Sequence, residues 1–369
     1  MNPLVSLNKM GQSIWLDFFD REIMNSGELQ KLIDNDKLAG ITSNPSIFEK
    51  AILSGSDYDE DIKALARENS NAETIFFKLA IQDIRRAADF LKPVYEAASG
   101  NDGFVSIEVS PFLANDEEET VKQAVELWGK VNRDNVMIKI PATKEGVQAI
   151  KRATAEGINV NVTLLFGLER YREVLNAYLS GLEDRLKAGK PINKIRSVAS
   201  FFLSRIDVLL DPLLIKQGLN SLAGEIAVAS AKTAYQIYLE LFGTDRYKKL
   251  EEKGATPQKL LWASTGTKNP AYSDVKYVEP LIGHNTINTL PLKTIDAFRD
   301  HGRAELTIQK DLNKAAESLK LLEEKGFNLN AISEQLETEG VEKFNKSFTA
   351  LLNAIKEKAA LAQNDTKEL

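Results

Sequence analysis

The sequence predicts an α/β chain folded as a (β/α)8 TIM barrel, and three observations carry that reading. Eight short β-like runs follow one another: SIWLDF (13–18), AGITS (39–43), FVSIEVS (104–110), NVMIKI (135–140), INVNVTLL (158–165), RSVASFF (196–202), KLLWAS (259–264) and GHNTINTL (283–290). Amphipathic helical stretches such as NAETIFFKLAIQDIRRAADFLKPVYEAA and EEETVKQAVELWGKVN separate nearly all of them, and strands alternating with helices argue for parallel βα units. The chain has 369 residues with no low-complexity linker and no repeat of fixed period. One barrel domain over 1–369 with helical additions fits that length.

Each run has its own justification. Side chains alternate faces along a strand, so in SIWLDF the apolar Ile14, Leu16 and Phe18 oppose Ser13, Trp15 and Asp17. AGITS runs into Asn44-Pro45-Ser46, a good helix start with Asn as N-cap and Pro in the first turn. In FVSIEVS, Val105, Ile107 and Val109 oppose Ser106, Glu108 and Ser110. In NVMIKI, Val136, Ile138 and Ile140 oppose Met137 and Lys139, and in INVNVTLL, Ile158, Val160, Val162 and Leu164 oppose Asn159, Asn161 and Thr163. In RSVASFF, Ser200 and Phe202 share a face. Two parts exceed a minimal barrel: a helical insertion at about 212–258, rich in good helix formers, and C-terminal helices over about 304–369. Both are expected to pack on the barrel exterior, and the last residues, QNDTKEL, to fray.

The alternating pattern has two readings. An antiparallel sheet with one wet face would produce it, but the helices between the strands argue for a parallel barrel. Helices then cover the apolar face, and Asp17, Glu108, Lys139, Asn161 and Thr163 must look inward. An unsatisfied polar group there costs roughly 1–3 kcal/mol, and a charge costs more unless paired. Stability alone explains such a set poorly. Most of these residues also fall late in their strands, toward the C-terminal mouth where barrel active sites lie.

Composition narrows the chemistry. With 47 Lys+Arg against 53 Asp+Glu the formal charge is −6, which argues against a nucleic-acid partner. There is no cysteine, hence no disulfide, thiol nucleophile or thiolate metal site. His284 and His301 are the only imidazoles, so a histidine metal site is not expected; both suit surface or loop positions. No apolar run approaches the roughly 20 residues of a membrane span, and the first residues do not resemble a signal peptide. The expectation is a soluble cytoplasmic protein, a monomer or a homodimer, with no metal and no cofactor.

A lone inward lysine with carboxylates, amides and hydroxyls suggests Schiff-base chemistry at Lys139. The amine must be neutral to attack a carbonyl, and confinement disfavours the charged form. Glu108 and Asp17 would oppose that if both were ionised, so one carboxyl group is expected to lie away from the ammonium or to hold a proton. The competing reading is a buried Lys–Glu ion pair, which leaves the surrounding Asn and Thr residues unexplained.

Five stretches in order, GITSNPSIF (40–48), VSIEVSP (105–111), VMIKIPAT (136–143), GINVNVTLLF (157–166) and SFFLSR (200–205), together resemble the transaldolases. ASTGTKNPAY (263–272) and the added length resemble their long bacterial branch. The resemblance implies that Lys139 forms a Schiff base with the C2 carbonyl of a ketose phosphate. Glu108 would move protons through a water that Thr163 helps to hold, and Asp17 would take the hydroxyl proton that triggers carbon–carbon cleavage. Asn44, Asn161 and Ser200 match substrate-contacting positions; helix capping by Asn44 and layer filling by Thr163 remain as alternatives. Arg205 would clamp the phosphate, unless it sits in an ordinary ion pair. Many relatives place a second arginine after the seventh strand in an Ala-Ser-x-Arg pattern. Here the loop reads from Ala263 and Ser264 to Lys268, two residues longer and with lysine for arginine. Ser264 and Lys268 are assigned to that role, against the reading of Lys268 as a plain surface lysine. Phe202 beside Ser200 would keep water from the intermediate and so favour transfer over release of free dihydroxyacetone. The partners implied are small sugar phosphates, and the alternative activity is a class I sugar-phosphate aldolase.

Overall fold

A computed structural model describes residues 2–68 and 70–365, with side chains as far as residue 360. The fraying expected of QNDTKEL falls mostly on residues outside these. Eight parallel strands close into a barrel in sequence order: β1 (Gln12–Leu16), β2 (Leu38–Ile41), β3 (Phe104–Glu108), β4 (Val136–Pro141), β5 (Val160–Leu165), β6 (Ser197–Phe202), β7 (Lys259–Ala263) and β8 (Thr286–Leu290). The ring closes where β1 pairs with β8, from Gln12 opposite Thr286 to Leu16 opposite Leu290. Every predicted run overlaps its strand; five contain it whole, while β1, β2 and β4 each reach one residue beyond the run, at Gln12, Leu38 and Pro141. β-Branched residues supply the outer faces: Val105, Ile107, Val136, Ile138, Val160 and Val162 are all buried beneath the helices. Those helices carry matching apolar stripes. In Ala72–Ala97 the buried Ile75, Leu79, Ile84, Ala87, Ala88 and Leu91 recur at helical spacing, and the Asn71 side chain caps the first turn through the Thr74 N–H.

The barrel interior divides into two levels. Its lower part is packed by Phe104, Met137 and Trp15, each at most 2% exposed. The Trp15 indole N–H donates to Asp102 Oδ1 at 2.9 Å, and the Ser13 hydroxyl donates to the same carboxylate. Gly40 on β2 lets the indole lie flat against the strand, since a Cβ there would stand 2.3 Å from the ring. Above this plug the register sets Glu108 beside Lys139 and Lys139 beside Asn161. One row of polar side chains on β3, β4 and β5 therefore faces the C-terminal half of the interior.

The helical additions differ from expectation in two respects. The boundary expected at 212 falls inside a helix, Ser204–Lys216, which follows β6 directly and holds Pro212 within it. Helices Ile226–Phe242 and Asp245–Glu251 complete the stretch before β7. The C-terminal helix, Leu329–Asp365, does not lie on the exterior alone. It crosses the mouth of the barrel and buries Leu336, Phe344, Phe348, Leu351 and Ile355. Phe348 meets Phe76 and Phe112 edge-on, each with ring centroids 5.3 Å apart. Ser347 receives the Ser46 hydroxyl at 2.8 Å, and Ser333 donates to the Phe166 carbonyl at 3.4 Å. Among the described residues, no helix is long and apolar enough to cross a membrane. His284 is exposed in the loop before β8. His301 ends the helix Leu292–His301 and lies, exposed, between Asp274 and Asp300.

Candidate active site

β4 delivers Lys139 into the upper barrel, where the residue is only 4% exposed. Its Nζ donates to the Ser43 carbonyl at 3.1 Å and stands 3.4 Å from Glu108 Oε2. Ser43 is itself fixed, its hydroxyl donating to the Ser106 carbonyl at 2.8 Å. Burial pushes the Glu108 carboxyl up to about 7, against the pull of Lys139. The carboxyl group therefore lies close to the amine and holds its proton below about pH 7. Asp17 follows β1 directly. Burial raises its carboxyl too, against Lys139, the Thr42 hydroxyl that donates to it at 3.2 Å, Lys268 and Arg205.

Asn161 is fully buried. Its Nδ2 donates to Ser106 Oγ at 2.9 Å, while its Oδ1 accepts from the Ser200 hydroxyl at 2.7 Å. The amide thus ties β3, β5 and β6 together in the same layer as Lys139. Thr163 is also fully buried, and among the described residues neither its hydroxyl nor Glu108 Oε2 makes a hydrogen bond of good geometry. Asn44 caps the helix Pro45–Ser54, accepting the Ile47 N–H at 3.0 Å. Its Oδ1 serves the cap, and the residue also lines the central cavity. Capping the helix therefore does not remove Asn44 from the cavity wall.

That cavity measures about 850 Å³ and opens at the C-terminal mouth. Asp17, Asn44, Lys139, Ser200, Phe202, Arg205, Ser264 and Lys268 line it together. Glu108, Asn161 and Thr163 do not; they stand behind its wall, with Glu108 in reach of Lys139. Arg205 sits in the first turn of the helix after β6, its guanidinium 5.4 Å from the Phe202 ring and 5.9 Å from that of Phe344. No carboxylate lies within 4.0 Å of it among the described residues, so the ordinary ion pair is not formed. Ser264 holds a left-handed backbone, φ 54°, and its hydroxyl meets that of Ser204 at 2.9 Å. Phe202 packs on Phe166 with ring centroids 5.2 Å apart.

A comparison with known families fits this geometry. Residues 14–355 match the family described as Transaldolase/Fructose-6-phosphate aldolase. The chain belongs to this family. Among curated relatives, a transaldolase of Trichodesmium erythraeum is 47% identical, the match covering 97% of each chain. One of Saccharopolyspora erythraea is 46% identical over 96% of this chain and 97% of its own. One of Thiobacillus denitrificans is 45% identical over 96% of this chain and 100% of its own.

Several cavity residues escaped the sequence reading. The helix Pro45–Ser54 contributes Ser46, Glu49 and Lys50, and the C-terminal helix contributes Leu336, Glu339, Lys343, Phe344 and Ser347. One signal pointed to the second group. Gly340 interrupts an otherwise good helix, where glycine costs about 1 kcal/mol relative to alanine. The structure supplies the reason: a Cβ at Gly340 would lie 3.0 Å from Leu164 Cδ2 and 3.5 Å from Arg205 Nη1.

Proposed function

We propose that this chain is a transaldolase, moving a dihydroxyacetone unit from a ketose phosphate to an aldose phosphate in the non-oxidative pentose phosphate pathway. Sedoheptulose 7-phosphate or fructose 6-phosphate is the donor; glyceraldehyde 3-phosphate or erythrose 4-phosphate is the acceptor. The Lys139 amine, once neutral, attacks the C2 carbonyl of the ketose. Glu108 supplies the proton with which the carbinolamine loses water. Asp17 then takes the C4 hydroxyl proton, the C3–C4 bond breaks, and its electron pair enters the protonated imine to give an enamine. The aldose leaves and the three-carbon unit stays covalently held. An incoming aldehyde reverses these steps, with Asp17 returning its proton to the new alkoxide. Asn44, Asn161, Ser200 and Thr163 order the unit and the water without adding charge beside the lysine. Arg205, Ser264 and Lys268 hold the phosphate at the mouth.

The observation that carries this reading is the buried Lys139 amine, 3.4 Å from a carboxyl group that burial pushes up to about 7, at the inner end of a cavity whose wall carries Lys50, Arg205, Lys268 and Lys343 against Glu49 and Glu339. Borohydride reduction in the presence of fructose 6-phosphate tests it. The expected result is a stable adduct on Lys139, absent from Lys139→Met, and turnover that stalls without an aldose phosphate. No adduct on Lys139 would refute the reading. An adduct with continuous release of dihydroxyacetone and no acceptor would make the chain an aldolase.

A further inference from the structure

The cavity gathers more positive charge than one phosphate clamp of Arg205 and Lys268 requires. Lys50 and Lys343 line it as well, outnumbering the carboxylates Glu49 and Glu339 on the same wall, and none of the four cations has a carboxylate within 4.0 Å among the described residues. Cations elsewhere are commonly paired, as Arg21 is with Asp61 and Asp83, or Arg152 with Glu117 and Glu118. Unpaired cations converging on one concave site are arranged for an anion from outside.

We infer that Lys343 grips the substrate phosphate alongside Arg205, so that the C-terminal helix is part of the binding site. This deepens the transaldolase reading and rests on it. Residues 336, 340, 343, 344 and 347 recur at helical spacing on one face, and that face is fixed against the site. Gly340 approaches the Arg205 guanidinium, Phe344 stacks over it at 5.9 Å, and Ser347 is bonded to Ser46. Lys343 stands among these anchors. Asp17 at the reacting end feels Lys268 and Arg205, whereas Lys343 is depressed first by Arg205, then by burial, Lys268 and Lys50. Lys343 thus shares the cavity wall with Arg205 and Lys268, held there by the C-terminal helix that crosses the mouth. A ketose held at C2 by Lys139 extends its terminal phosphate in that direction. A dianion there relieves the repulsion among the cations.

The test compares Lys343→Met with Lys343→Arg and with Lys346→Met; both lysines are exposed on the same helix, but Lys346 does not line the cavity. Two quantities are read: KM for fructose 6-phosphate, and Kd for inorganic phosphate by calorimetry. We expect Lys343→Met to raise both by about tenfold, the size of one charge-assisted contact, with the loss in KM and not in kcat. Lys343→Arg should restore both, and Lys346→Met should match the unsubstituted chain. If Lys343→Met binds phosphate as tightly as Lys346→Met, the inference is overturned. Failure to trap an imine on Lys139 would condemn the transaldolase reading instead, and the phosphate comparison would still decide the role of Lys343.

Discussion

Asp207 offers a quantitative test of how the Arg205 end of the cavity is built. It lies two residues beyond Arg205, 1% exposed. Its Oδ1 accepts the Ala227 N–H at 3.0 Å and its Oδ2 accepts the Tyr277 hydroxyl at 2.8 Å. One helix turn on, Asp211 accepts from the Gly224 N–H and from Tyr272 in the same way. The two carboxylates thereby tie the segment that leads on from Lys268 to the helix bearing Arg205. Burial pushes the Asp207 carboxyl up to about 6, with Asp211 adding to the rise and the two hydrogen bonds and Lys276 opposing it. A folded-state value above the ordinary one means that stabilisation is fully present below about pH 4 and is lost as pH climbs through 6. The shift corresponds to roughly 3 kcal/mol between those limits. Asp207→Asn keeps the shape, accepts the Ala227 N–H, and can donate to the Tyr277 oxygen, but it does not titrate. Urea unfolding from pH 4 to pH 8 should therefore show the Asn variant gaining on the unsubstituted chain by about 3 kcal/mol as pH rises. A stability difference flat across that range would refute the assignment of the buried charge. Asp207→Ala, which frees both Ala227 and Tyr277, should destabilise at every pH.

Two further perturbations address the cavity wall. Gly340→Asp sets a carboxylate beside the Arg205 guanidinium, which a Cβ at this position already approaches to 3.5 Å; KM for fructose 6-phosphate should rise about tenfold or more, while Gly340→Ala adds the same Cβ without charge and should shift it far less. Equal effects of the two substitutions would mean that Arg205 does not meet the phosphate. Phe202→Tyr places a hydroxyl where the Phe166-backed ring now walls the cavity. Acceptor-independent release of dihydroxyacetone from fructose 6-phosphate should grow at least about tenfold, the scale of one positioned proton donor; an unchanged release fraction would remove Phe202 from the control of water.

The strands were legible because a parallel barrel imposes a rule on each of them. One face must be apolar to meet the helices, so Val136, Ile138 and Ile140 announce β4, and what remains on the other face is free to carry chemistry. That is why Lys139 and Glu108 could be read from alternation alone, and their register then follows from adjacent parallel strands. Alternation reports a facing, however, and not a neighbour. It could not show that Asn161 divides its amide between Ser106 and Ser200, or that Thr163 stands behind the cavity wall. Nor could it show that Ser264 adopts a left-handed backbone, since serine carries no mark of it. The C-terminal helix sets the deeper limit. An amphipathic stripe states that a helix is buried on one side and leaves open what covers it; Leu336, Phe344 and Phe348 would suit the outside of the barrel as well as its mouth. What breaks the tie is a residue with no side chain. Gly340 is expensive in a helix and useful only where something must come close, and what comes close is Arg205. A glycine inside an apolar stripe therefore locates an approach that the stripe itself cannot, and here it points from the C-terminal helix back to the Arg205 guanidinium.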